Sequence, residues 1–243
     1  MLFIKLSAIA STNSFLKDWV QQTKEYAAVG VWTENQTKGR GRRDTTWLSS
    51  KGLNLTGSIY LAASLLKEKN TFELNKQACM AVYNTLNSYK IPELSIKWPN
   101  DILSGKKKLG GILMEPLYRG SELTGIVIGC GINVNQRDFP DLPCATSMTM
   151  LLDDTFSVET MFELLAKNIK AQLSSGVDVH KNYMDVLFGY GKIVDFMRPD
   201  GTTFRATITD ISTTGTLMLA HNDGKLEKFE EKEVIFKVSA NCQ

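Results

Sequence analysis

Three arginines crowd one glycine-rich stretch, Gly39-Arg40-Gly41-Arg42-Arg43. Glycine lets a backbone come close to a ligand, and the arginine fork donates paired hydrogen bonds to phosphate or carboxylate. The stretch therefore reads as an anion clamp, with a solvated basic turn or a nucleic-acid contact left open. Trp47, four residues beyond, could stack on a ring or simply fill a core. A second cluster, KWPNDILSGKKKLGG, brings Lys97, Asn100 and Asp101 towards Lys106, Lys107 and Lys108 across a tight turn. It reads as functional groups presented at a strand end, or as a plain turn with surface lysines. Gly110 and Gly111 imply backbone packed closely against something. The run Gly129-Cys130-Gly131-Ile132-Asn133-Val134-Asn135 ends a strand with glycines and two amides, compatible with contact to a ring.

These groups need a scaffold, and hydrophobic periodicity supplies one. Helical spacing predicts helices over 13–26, 72–86, from Ser157 with Glu159 through Ile169, and 179–188. Strands are expected over 28–33, 53–61, 96–103, 109–118 and 123–134, punctuated by Pro99, Gly105 and Gly120, with a buried strand at the N-terminus. Beyond Gly189 the texture changes to short β-rich runs split by the turns Pro199-Asp200-Gly201 and Asn222-Asp223-Gly224. The expected fold is α+β: a mixed β-sheet domain over 1–188 and a small β-barrel over 189–243. A chain of 243 residues accommodates two unequal domains, since domains cluster near ~100 to 150 residues.

Composition narrows the chemistry. With 43% hydrophobic and 22% charged residues the chain can build a core, and a formal net charge of +2 leaves any basic function to local clusters. Four cysteines without CxxC spacing and only two histidines argue against a zinc site and for reduced thiols in a cytosol. Lys5 interrupts the apolar start MLFIKLSAIA, so a signal peptide is not expected, and no run is long enough to span a bilayer. There is no GxxxxGK[ST] loop, no GxGxxG fingerprint and no HExxH pair, and neither histidine stands near a Ser or Cys motif. The residues alone thus indicate an anion-binding α+β enzyme whose catalytic groups are cations.

Taken together the motifs go further. STN at 11–13, NQTKGRGRRDTTW at 35–47, KWPNDI at 97–102, KKLGGIL at 107–113 and GCGINVN at 129–135 closely resemble, in order and spacing, those of biotin protein ligases. DISTTGTLML at 210–219 resembles the SH3-like barrel that ends those enzymes, so the likeness spans nearly the whole chain. It implies a catalytic domain like that of class II aminoacyl-tRNA synthetases. The larger members carry an N-terminal winged helix-turn-helix; with STN starting at Ser11, none is expected here, nor specific DNA binding.

The resemblance implies that biotin is activated with MgATP to biotinyl-5'-AMP and passed to a lysine of a biotin carboxyl carrier protein or carboxylase subunit. By motif position, Ser11, Thr12, Asn13, Gln36, Arg40, Gly41, Arg42, Lys108 and Gly111 would hold biotin, and Arg42, Arg43, Trp47, Asn100 and Asn133 the nucleotide. Lys108, Arg42 and Asp101 would be catalytic: Lys108 against the carboxylate and α-phosphate, Asp101 at the incoming lysine. No tightly held metal is implied beyond Mg²⁺ brought by ATP, near Asn100. Asp44 and Thr45 depart from relatives that have glycine or basic residues there. A cytoplasmic enzyme, as monomer or homodimer, without membrane contact, is the expectation. The nearest rival is a lipoate or octanoate ligase, whose arginine-rich, glycine-run motif ending in histidine is absent. A different class of rival is a nucleic-acid-binding module built on the Gly-Arg loop. Mutual repulsion among the arginines predicts that 35–47 is loose without ligand.

Overall fold

The computed structural model describes residues 1–23, 26–42 and 45–237. The chain opens with strand β1 (Leu2–Leu6) and helix α1 (Thr12–Thr23), followed by β2 (Ala28–Thr33), β3 (Leu55–Ala62) and α2 (Thr71–Asn87). Then come β4 (Leu94–Lys97), β5 (Asp101–Ser104), β6 (Lys107–Arg119) and β7 (Glu122–Ile132). Helices α3 (Met148–Leu152), α4 (Val158–Ser175) and α5 (His180–Asp185) lead to β8 (Ile193–Met197), β9 (Thr203–Ile211), β10 (Leu217–His221), β11 (Leu226–Phe229) and β12 (Ile235–Phe236).

The first seven strands form one mixed sheet in the order β1-β2-β3-β7-β6-β5-β4, and the last five an antiparallel sheet in the order β11-β10-β9-β8-β12. Only β1 and β2 pair in parallel within the first. Local signals set the helix ends. Asn70 caps α2 by accepting from the backbone N–H groups of Phe72 and Glu73, Ser157 caps α4 through Thr160, and Gly176 closes α4 at φ 72°.

Helices α2 and α4 pack on one face of the large sheet, while α1 covers the other through Leu16 against Val29, Val31 and Val127. The face under α2 and α4 belongs to an apolar cluster that continues through Phe196, Ile208 and Leu219 into the second sheet. Polar ties also join the two sheets. Trp98 Nε1 donates to the Gly215 carbonyl at 3.0 Å, and His180 lies between Lys76 Nζ at 2.8 Å and Asp210 Oδ1 at 3.0 Å. Lys76 is fully buried, and Glu73 meets it at 2.8 Å, so the charge is paired.

The structure adjusts several expectations. The N-terminal strand is only half-buried, because β1 is a sheet edge with a neighbour on one side alone. The run 96–103 is divided at Pro99 as its punctuation implied, but into two separate strands: Pro99, which cannot donate to a ladder, sits in the turn between β4 and β5. The helix expected over 179–188 is limited to α5, and α3 was not anticipated, being a single capped turn with no periodic pattern. Cys79 and Cys130 are free and buried, but Cys144 is disulfide-bonded, against the expectation of reduced thiols throughout. Among the described residues no helix is long and apolar enough to cross a membrane.

The packing has little room to spare where α4 crosses β3. A Cβ on Gly57 would lie 2.5 Å from the Phe162 ring and 3.0 Å from the Val31 carbonyl oxygen. Gly57→Ala should therefore destabilise the fold by ~1 to 3 kcal/mol through overpacking, read by urea denaturation. An unchanged midpoint would show that α4 is not seated this tightly.

Candidate active site

Strand register puts a depression on the α1 face of the large sheet. Cross-strand partners run Asp101, Gly111, Gly131 and Thr56 in one row, and Leu113, Gly129 and Ser58 in the next. Successive residues of a strand face opposite sides, so these rows share the α1 face. Two of the glycines leave space for side chains arriving from elsewhere. A Cβ on Gly129 would meet Asn13 Oδ1 at 2.4 Å, and one on Gly131 would meet the Trp47 indole at 2.4 Å. Over this floor lies a cavity of about 340 Å³.

One end of the cavity is built by hydroxyls and amides. The buried residues Ser11, Thr12 and Asn13 stand at the start of α1, where Ser11 accepts from the N–H of Ser14. Gln36 Oε1 accepts from the backbone N–H of Thr12 at 2.9 Å and from its hydroxyl at 3.0 Å. Ser58 Oγ lies 2.5 Å from Asn13 Oδ1 and 2.7 Å from Thr12 Oγ1. The Asn13 amide donates to the Leu113 carbonyl and to Glu115 Oε2.

The other end is cationic. Between β5 and β6 the register shifts so that Leu103 opposes Lys108 while Ile102 opposes Gly110, leaving Leu109 as the extra residue. Such a bulge re-aims neighbouring side chains, and here Lys108 Nζ meets Asp101 Oδ1 at 2.7 Å and lies 6.0 Å from the Trp47 ring. Lys97 lines the same cavity, 5.6 Å from the Phe236 ring. Burial lowers its pKa from the usual lysine value; Asp101 works against that shift and Lys108 with it.

The Gly-Arg segment folds back on itself. Gly41 N–H donates to the Thr45 carbonyl at 2.7 Å, Trp47 N–H to the Gly39 carbonyl at 3.1 Å, and a Cβ on Gly39 would collide with the Trp47 carbonyl oxygen. Gly39 thus serves this turn, where the sequence pointed to close approach of a ligand. Both described arginines of this segment also meet a carboxylate. Arg40 Nη2 meets Glu115 Oε2 at 2.8 Å, and the Arg42 fork grips Glu231, which lies in the turn between β11 and β12. For Arg40 and Arg42, these pairs counter the mutual repulsion from which looseness of 35–47 was expected.

Of the residues singled out in the sequence, Ser11, Thr12, Asn13, Gln36, Arg40, Gly41, Arg42, Trp47, Asn100, Asp101, Lys108 and Gly111 all line this cavity. Arg43 lies outside the described residues. Asn133 does not line the cavity: it follows the last residue of β7, and its buried amide donates to the Thr146 carbonyl at 3.0 Å. Asn100 is at the cavity, but its amide nitrogen is given to the Ile112 carbonyl. Among the described residues no three His, Cys, Asp or Glu side chains stand close enough to share a metal.

Ser58, Glu115 and Glu231 carry no motif that marks them in the sequence, and Lys97 stands in a motif without an evident role. For Glu115 a signal existed: it follows Gly111 and Leu113 at the two-residue period of β6.

A model of the Biotin/lipoate A/B protein ligase family matches residues 6–133, more than half of the chain. The chain belongs to that family. Among relatives, it is 30% identical over 203 residues to the Bifunctional ligase/repressor BirA of Bacillus subtilis, covering 80% of this chain and 62% of the relative. It is 33% identical over 109 residues to the Biotin--[acetyl-CoA-carboxylase] ligase of Paracoccus denitrificans, covering 43% of each. The chain thus spans under two thirds of the length of these two relatives. The fold matches the biotin protein ligase from Aquifex aeolicus in complex with biotin and ATP at a TM-score of 0.77 and 22% identity, over 98% of this chain and 99% of that one.

Cys130 also lines the cavity of this family member, and burial pushes its thiol up to about 12 while Cys79 rises further still. Neither presents a thiolate near neutrality, so both should resist iodoacetamide at pH 8 until the protein unfolds. Peptide mass spectrometry reads this directly; rapid alkylation of native Cys130 would contradict the burial.

Proposed function

We propose that the chain activates biotin with MgATP as biotinyl-5'-AMP and transfers it to a lysine of a biotin carboxyl carrier protein or carboxylase subunit in the cytoplasm. The observation that carries this reading is the two-ended cavity. Hydrogen-bonding groups at one end suit a neutral ureido ring, and cations at the other suit a carboxylate meeting a phosphate. Its volume of about 340 Å³ is in the range of small-molecule sites. Lipoate is the weaker candidate, because its ring brings no amide to Thr12, Asn13, Gln36 and Ser58, and a site built of such groups discriminates against a partner lacking them.

In this reading Ser11, Thr12, Asn13 and Gln36 hold the ureido ring, and Arg40, Gly41 and Gly111 border the rest of biotin. Arg42, Arg43, Trp47 and Asn100 serve the nucleotide, whose Mg²⁺ arrives as part of the substrate. Asn133 takes no direct part and supports the strand end. Lys108 stands where the biotin carboxylate oxygen bonds to the α-phosphorus and pyrophosphate leaves, and offsets the charge that develops. Asp101 first holds Lys108, then accepts the proton as the carrier lysine attacks the acyl carbon and AMP departs. Lys97 adds positive charge to the same end. The C-terminal sheet is assigned to the SH3-like barrels and the large sheet to the class II synthetase-like catalytic domains, dividing the chain at 188/189.

Incubation with ATP, Mg²⁺, biotin and a carrier domain should add one biotinyl group to the carrier's lysine, seen as a mass shift. Preferential transfer of lipoate would overturn the assignment. Lys108→Ala should slow adenylate formation by roughly two to three orders of magnitude, the cost of ~3 to 4 kcal/mol for a lost electrostatic donor, with little change in Tm. Lys106→Ala, exposed on the same turn, should retain activity. If Lys108→Ala is as fast as Lys106→Ala, Lys108 is a surface charge.

A further inference from the structure

Glu115 lies behind the cavity, on β6 opposite Val127, and is not among the residues that line it. Three groups converge on its carboxylate. Asn13 Nδ2 donates to Oε2 at 2.7 Å, Lys17 Nζ to Oε1 at 2.8 Å, and Arg40 Nη2 reaches both oxygens, at 2.8 and 3.1 Å. Asn13 and Arg40 do line the cavity, so one carboxylate holds a group from each of two walls.

We propose that Glu115 is a positioning residue for the biotin end of the site: it sets which way the Asn13 amide is turned and keeps Arg40 at the cavity rim. The inference rests on the reading of function given above. Asn13 has one donor edge and one acceptor edge. Glu115 accepts from the donor edge, which leaves Oδ1 turned towards Ser58 and Gly129. Without an anion at 115, exchange of the two edges is opposed only by the Leu113 carbonyl and by the Ser58 hydroxyl, which can turn to accept instead of donate. The second effect is electrostatic. Lys17 and Arg40 both approach Oε1, and removing the negative charge leaves two cations facing each other. Arg40 is the more exposed of the two and has no second carboxylate among its described contacts, so it would swing away from the rim.

Arg42 and Lys108 have their own carboxylates, Glu231 and Asp101, and do not depend on Glu115. The expected signature is selective for that reason: biotin binding suffers and nucleotide binding does not. Burial alone would raise the Glu115 pKa, but the hydrogen bonds from Lys17 and Asn13 and the charges of Lys17 and Arg40 outweigh it and hold the group below the usual carboxylate range. The anion is thus present throughout the neutral range.

The test is the KM for biotin and for ATP in adenylate formation by the full chain, with Tm measured alongside. Glu115→Gln, which keeps an acceptor for Asn13 but removes the charge, should raise the biotin KM about tenfold while the ATP KM stays within about twofold, as expected for loss of one charge-assisted hydrogen bond. Glu115→Ala should raise it further, and Glu115→Asp should fall between wild type and Glu115→Gln. In an Arg40→Ala background, Glu115→Gln should add less than it does alone, because the two changes act through one contact. Unchanged biotin KM, or equal rises in both KM values, would overturn the proposal. If the neutral variants fail to fold, Glu115→Asp carries the test by the same two criteria. A wild-type chain that does not activate biotin would instead remove the functional reading itself.

Discussion

Like charges brought together in a half-buried space repel, and the site depends on how this chain contains that repulsion. Arg40, Arg42, Lys97 and Lys108 all border one cavity. Three of them are met by carboxylates from separate parts of the fold: Glu115 on β6, Glu231 beyond β11, and Asp101 at the start of β5. Each pair holds a cation in place: Glu115 does so from outside the cavity lining, while Asp101 and Glu231 line the cavity beside the cations they hold. An incoming phosphate or carboxylate therefore meets donors already held, and less ordering has to occur on binding.

That arrangement follows from the sheet. Asp101, Gly111 and Gly131 occupy one row across three strands, and the bulge at Leu109 turns Lys108 onto it. The glycines of β7 admit Asn13 and Trp47 from the α1 segment and the Gly-Arg turn, so residues distant in sequence meet where the floor carries no side chain of its own. The second sheet is part of the same construction. Phe236 of β12 and Glu231 of the turn before it reach the cavity, and the sheet is tied to the Trp98 turn through the Gly215 carbonyl. Carboxylate, aromatic and hydrogen-bond contacts thus couple the small sheet to the chemistry of the large one.

Much of this was legible in the sequence because the chemistry is concentrated in short runs. The Gly-Arg stretch, KWPND and the lysine turn announce themselves by residue type, and the long helices and strands by period and caps. Other parts were hidden for identifiable reasons. Ser58 and Glu115 are ordinary residues on strands, and only register brings them to Asn13. Glu231 reaches Arg42 across 189 residues of chain, a pairing that no local pattern encodes. Asn133 was assigned to the nucleotide because it belongs to a motif, yet beyond Ile132 the strand alternation ends and its amide turns to the Thr146 carbonyl. Motif membership brought most of these residues to one cavity, while side-chain direction depends on where the strand stops.

The central claim is that a hydrogen-bonding end and a cationic end of one cavity bring a ureido acid and ATP together for adenylation. Biotin-dependent exchange of labelled pyrophosphate into ATP tests it most directly, because it reports the first step without any carrier. The account predicts saturable exchange with biotin and little with lipoate. Exchange that proceeds without biotin, or as well with lipoate, would contradict it.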